Sequence, residues 1–109
     1  MKVEIYYRKF KPGKINFDMT QQDAGQLTMN DLLNDYACVA QIEQPESTTP
    51  DRIFFMYQDR PLPLPPGIEH TSMSVGDIVL LDKEICVCCN CGWYRLSLKS
   101  VPSGKILAG

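Results

Sequence analysis

Val3, Ile5 and Tyr7 alternate with Lys2, Glu4, Tyr6 and Arg8. That period of two predicts a strand, and Lys11-Pro12-Gly13-Lys14 supplies the turn that ends it. Residues 15–26 are polar and weakly patterned and predict no element. Thr28, followed three residues later by Asp31, has the form of a helix N-cap with an acidic first turn, and Leu32 and Leu33 offer apolar anchors. Tyr36, Cys38, Ala40 and Ile42 then alternate with Ala37, Val39, Gln41 and Glu43, which predicts a second strand. Thr49-Pro50-Asp51 combines a capping hydroxyl, a first-turn proline and an acid at the positive end of the helix dipole. Ile53, Phe54, Met56 and Tyr57 give that helix its apolar face, and the run Pro61 to Pro66 must end it.

The last third reads as a β-meander. Asp77 to Leu81 is a strand, Asp82-Lys83-Glu84 a turn and Ile85 to Cys89 its hairpin partner. Gly92 breaks the run, and Trp93 to Leu98 is a final strand. The expected architecture is α+β: one small domain over residues 1–98, mostly antiparallel sheet, with one or two short helices on one side. Residues 99–109 are expected to be a loose tail in which Ile106 and Leu107 can dock.

A chain of 109 residues fits one domain. Its 44% hydrophobic and 22% charged content is that of a globular protein. The net charge of -2 argues against a broad nucleic-acid footprint. The local basic excess of Lys2, Arg8, Lys9, Lys11 and Lys14 can touch a phosphate, but reads more simply as a solvated strand face and loop. No apolar run approaches the ~20 residues needed to span a bilayer, and the N-terminus lacks a signal-peptide apolar block. A cytoplasmic protein with reduced thiols and no membrane partner is therefore expected; its five cysteines cannot all pair within one chain.

The densest chemical signal is Cys86-Val87-Cys88-Cys89-Asn90-Cys91. Four thiolates can hold zinc or copper(I). On a strand, however, Cys86 and Cys88 face one side and Cys89 and Cys91 the other, so burial as small apolar residues is the expectation. No metal or cofactor is therefore assigned, with a zinc or redox module on these four residues as the alternative. A thiol paired with His70, the single histidine, would be a nucleophilic site, but no spacing demands that geometry. No nucleophile elbow or phosphate loop is present, and no enzymatic activity is expected. Arg60-Pro61-Leu62-Pro63-Leu64-Pro65-Pro66 has polyproline II character and the spacing of groove-binding ligands, with a rigid connector as the simpler reading. Adjacent aromatic pairs should leave one member exposed, so Tyr6, Phe55, Trp93 and Tyr94, with Arg8 and Arg60, are the interaction candidates.

The stretch His70-Thr71-Ser72-Met73-Ser74-Val75-Gly76-Asp77-Ile78-Val79, with Gly92-Trp93 downstream, resembles the signature of small proteins of phages, plasmids and other mobile elements, the YodL-like domain nearest among them. The resemblance implies a Ser-x-Ser-Val-Gly-Asp motif that opens a β-hairpin, and an origin more than a mechanism. Physically, Ser72 and Ser74 can bond local backbone, Gly76 can take a positive φ and Asp77 can accept from loop amides, which makes a fold-determining turn with Gly92 as its second break. The cysteine cluster and the proline-rich approach depart from the pattern. The functional expectation is a non-enzymatic interaction protein that binds, and inhibits, a host defence protein. An exposed edge strand, Met1–Phe10 or Trp93–Leu98, would also allow a homodimer. A nucleic-acid contact through the basic N-terminal residues is a further alternative.

Overall fold

The alternating N-terminal residues form strand β1 (Lys2–Arg8), which buries Val3, Ile5 and Tyr7 completely. The computed structural model describes residues 1–101. After β1 come helix α1 (Gln21–Gly25), helix α2 (Met29–Asp35), strand β2 (Tyr36–Glu43) and helix α3 (Pro50–Met56). Strands β3 (Ile78–Leu81), β4 (Glu84–Cys88) and β5 (Trp93–Ser97) follow. The five strands form one sheet in the order β2-β1-β3-β4-β5, with every neighbouring pair antiparallel. The protein is thus a small α+β domain with a C-terminal strand meander.

Local chemistry explains the helix boundaries. Thr28 Oγ1 accepts from the Asp31 amide, and the Asp31 carboxylate accepts from the Thr28 amide at 2.8 Å, a complete capping box. Thr49 caps α3 ahead of Pro50 at its first position. The helix stops before the prolines: Asp59 turns left-handed at φ 53°, and its amide donates to Ser72 Oγ at 2.7 Å. Helix α1 lies where no element was expected. Thr20 and Asp23 build a second capping box there, and Ala24 is the one residue α1 buries.

Strand alternation divides the core. The first cluster joins Val3, Ile5, Tyr7, Val79, Leu81 and Cys86 to Ile53 of α3. The second joins Ile78, Ile85, Val87 and Cys89 to Tyr36 and to Ala24 of α1, with Leu32 of α2 packed against it. The short helices are therefore shared between both faces of the sheet, where one-sided packing was expected. Each face presents its own apolar stripe, so each needs a cover.

One expectation about the margins changes. Strand β1 is not an edge; it pairs with β2 on one side and β3 on the other, and the edges are β2 and β5. Leu98–Ser100 form a 3-10 turn capped by Ser97, and Leu98 and Val101 pack on the second cluster. Ile106 and Leu107 lie outside the described residues. No described helix is long and apolar enough to cross a membrane.

Candidate functional site

Two places combine chemistry with position. The first is the corner where the Ser-x-Ser-Val-Gly-Asp-Ile segment enters β3. Asp77 is fully buried. Its Oδ1 accepts from the Arg8 amide at 2.7 Å, and its Oδ2 accepts from the Ser74 amide at 2.8 Å and lies 2.8 Å from His70 Nε2. Burial pushes the Asp77 carboxyl up from its ordinary value, against the opposing pull of His70. The His70 ring stacks on Tyr7, with centroids 4.7 Å apart, and Phe17 meets it edge-on at 5.3 Å. Ser74 Oγ donates to Ser72 O at 2.9 Å, and the Gly76 amide donates to Cys88 O at 2.7 Å. Gly76 needs its lack of a side chain: φ is +98°, and an added Cβ would come within 3.1 Å of Arg8 Cδ. Tyr36 then donates its hydroxyl to Gly76 O at 2.6 Å.

A buried carboxylate orienting a histidine is also what a general base requires. Here the space beside His70, between Phe17, Glu69 and Val75, holds about 10 Å³, enough for about one water. The pair therefore works as a lock. It ties β1, the proline-rich approach and β3 together through a carboxylate whose two oxygens are both bonded.

The second place is a groove of about 280 Å³ over the second core cluster. Its walls are Met29, Leu32 and Leu33 of α2, and its floor is Tyr6, Ile78, Leu80 and Ile85, with Leu98 at one side. Glu4 is its single acid. That carboxylate is closed off: Tyr6 donates to it at 2.8 Å, Gln41 Nε2 donates at 2.8 Å, and Lys2 Nζ lies 3.3 Å away. The Tyr6 bond leads in holding Glu4 below its ordinary pKa. What the groove offers is hydrocarbon, and Leu33 at its rim is 71% exposed. The adjacent pair Leu32-Leu33 on a two-turn helix carried the signal for this site, because neighbouring helical residues cannot both face the sheet.

No known family model, curated protein or solved structure matches the chain.

The remaining candidates fall into two groups. Trp93 and Tyr94 are half-buried and engaged within the fold. Trp93 Nε1 donates to Asp51 at 2.6 Å and its ring meets Phe54 edge-on, while Tyr94 lies against Gly25. Arg8 is half-buried and donates to Asp18 O at 3.1 Å. Tyr6 contributes to the groove. Phe55 is 73% exposed on α3, and Arg60 is exposed with its guanidinium over the Tyr57 ring at 4.8 Å. Gly92 takes φ +81° in the β4–β5 turn.

The cysteines do not converge. Cys86 belongs to the first cluster and Cys89 to the second, on opposite faces, and Cys91 is exposed. Burial pushes the Cys86 and Cys88 thiols up to about 12, so in this fold they are protonated, packed thiols at neutral pH.

Proposed function

We propose that this chain is a non-enzymatic interaction protein whose α2–sheet groove receives the apolar face of a short helix from a host protein. The setting is that of a virus or mobile element, as the Ser-x-Ser-Val-Gly-Asp-Ile resemblance suggests, and binding inhibits the partner, a defence component of the host. One observation carries the reading: the 280 Å³ groove is walled by aliphatic side chains and its one carboxylate is already satisfied. A recess without free polar groups can bury side chains but cannot perform proton transfer or hold an ion. Helix-in-groove recognition uses such a surface, with anchors spaced three and four residues apart on the incoming helix.

The test is a tagged pull-down from nuclease-treated lysate of the natural host. The expected result is a single protein retained in near-equal amount by the wild type and lost with Leu33→Asp. Retention unchanged by Leu33→Asp, or no stoichiometric partner in several hosts, would reject the reading.

A further inference from the structure

Three of the five exposed large hydrophobics among the described residues, Phe10, Ile15 and Phe17, stand in one short loop after β1, at 44%, 82% and 53% exposure. Loose loops expose such residues only transiently, but this one is tied down. The Lys11 amide donates to Asn16 Oδ1 at 2.7 Å, and Asn16 Nδ2 donates to Lys11 O at 3.1 Å and Lys14 O at 2.9 Å. Gly13, at φ +78°, makes the turn with nothing within 4 Å of where a Cβ would stand. The base is anchored by Lys9 N to Asp35 O and Phe10 N to Gly67 O, both at 2.8 Å. A polar scaffold thus holds Ile15 out in solvent between Phe10 and Phe17, which are about half exposed, Phe17 resting its edge on His70. Such an arrangement marks a contact surface.

Within the loop itself the charge is one-signed, although Asp35 pairs with Lys11 and Asp18 and Glu69 flank its base. Four of the eleven basic residues and none of the thirteen acidic ones lie between Arg8 and Phe17, so the remainder of the chain is strongly acidic. Three features choose the partner. The most exposed large apolar residue among the described residues is Ile15, which has no π-face on which a base can stack. The cations beside it are Lys9, Lys11 and Lys14, and lysine is depleted at protein–protein interfaces, where arginine is favoured. The acidic body is repelled by an anionic plane, which orients the loop toward it. We infer that the Lys9–Phe17 loop docks on the surface of an anionic lipid bilayer, with Ile15 and the two phenylalanines entering the interface and the lysines meeting headgroup phosphates. The expectation of no membrane partner rested on the length of apolar runs, a criterion for spanning that a surface loop escapes. Lys11 must exchange its ion pair with Asp35, 3.1 Å away, for the headgroups, which keeps the contact weak and salt-sensitive.

The experiment is vesicle flotation of the full chain with phosphatidylcholine alone and with phosphatidylcholine–phosphatidylserine mixtures, at low and high salt. Binding is expected to the anionic vesicles only and to fall as salt rises. Ile15→Asp should abolish it. Lys11→Glu with Lys14→Glu should weaken it well over tenfold, since each lysine near an anionic surface contributes about fivefold (from ~1 kcal/mol). Lys83→Glu makes the same charge change in the exposed β3–β4 turn, whose Asp82 amide bonds Lys2 O at the far end of β1, and should leave binding unaltered. Thermal melts of all variants confirm folding, as these side chains are exposed. No binding to anionic vesicles, equal binding to neutral ones, or an equal loss with Lys83→Glu would overturn the inference. So would Ile15-dependent binding of a single-stranded oligonucleotide or a host protein in the absence of vesicle binding.

Discussion

The two faces of the sheet are finished differently. On one, α3 and the proline-rich approach close over Val3, Ile5, Val79 and Leu81, with Leu62 and Leu64 packed at the margin. Trp93 pins the β5 edge to α3 through Phe54 and Asp51. On the other, α1 and α2 are five and seven residues long and leave the groove between Leu32, Leu33 and Leu80. The same alternating strands feed both faces, so the difference lies in the covering segments. The closed face and the Asp77 corner hold the fold, and the half-covered face is the one to which the proposed function assigns a partner.

Breaking the lock should have the largest effect. Asp77→Ala removes the acceptor for two part-buried amides and leaves His70 without its carboxylate. It should cost about 3–5 kcal/mol in urea unfolding. A loss below about 1 kcal/mol would show that the corner does not hold the fold.

The comparison sharpens with one substitution on each face. Ile53→Ala empties a fully buried site beneath α3 and should cost about 2–5 kcal/mol, whereas Leu33→Ala should stay within about 0.5 kcal/mol. Equal losses in chemical denaturation would mean that the groove is ordinary core.

Alkaline pH acts on the closed side through Cys86, and through Cys88, which alternation places on the same face. Their thiols move from 9.0 to about 12 on folding, so between those values the unfolded chain has lost protons that the native state retains. Stability should fall as pH rises above about 9. The hydroxyls of Tyr6, Tyr7 and Tyr36, also pushed up by burial from 10.0, add to the fall above about 10. Cys86→Ala with Cys88→Ala should therefore flatten the slope chiefly between about 9 and about 10. Denaturation midpoints across the range would measure it.

A smaller effect of opposite sign is expected at Tyr7, whose buried hydroxyl has no hydrogen-bond partner among the described residues. Tyr7→Phe should leave stability unchanged or raise it by up to about 1 kcal/mol, in contrast to Asp77. The gentlest probe is thiol labelling of the native protein at neutral pH. Exposed Cys38 and Cys91 should react first, and Cys86, Cys88 and Cys89 only as the fold opens.

Much of this was legible locally. The alternation of β1, the Thr28/Asp31 and Thr49-Pro50-Asp51 caps, and the Ser74–Asp77 turn are written in adjacent residues and formed as read. By contrast, a bulge at Val39 breaks the alternation of β2 and leaves Cys38 exposed, and the Ser72 hydroxyl bonds distant Asp59. Helix α1 was hidden because its Thr20/Asp23 capping box sits in a polar stretch with too few apolar residues to show a helical period. The central place of β1 depends on pairing with residues some 35 and 75 positions away, which no local pattern encodes. The His70–Asp77 contact is likewise spatial: the motif marked Asp77 as an acceptor of loop amides, but nothing marked the histidine as its partner. The groove follows from how little of the second face α2 covers, a property of packing and not of sequence period.

The most direct test pairs two variants in one measurement, the host protein captured per folded molecule. Leu33→Asp should keep the thermal midpoint and lose capture. His70→Ala should lower the midpoint and, below it, capture as well as wild type. The reverse pattern, with capture surviving Leu33→Asp and vanishing in folded His70→Ala, would contradict the account and place function at the buried corner.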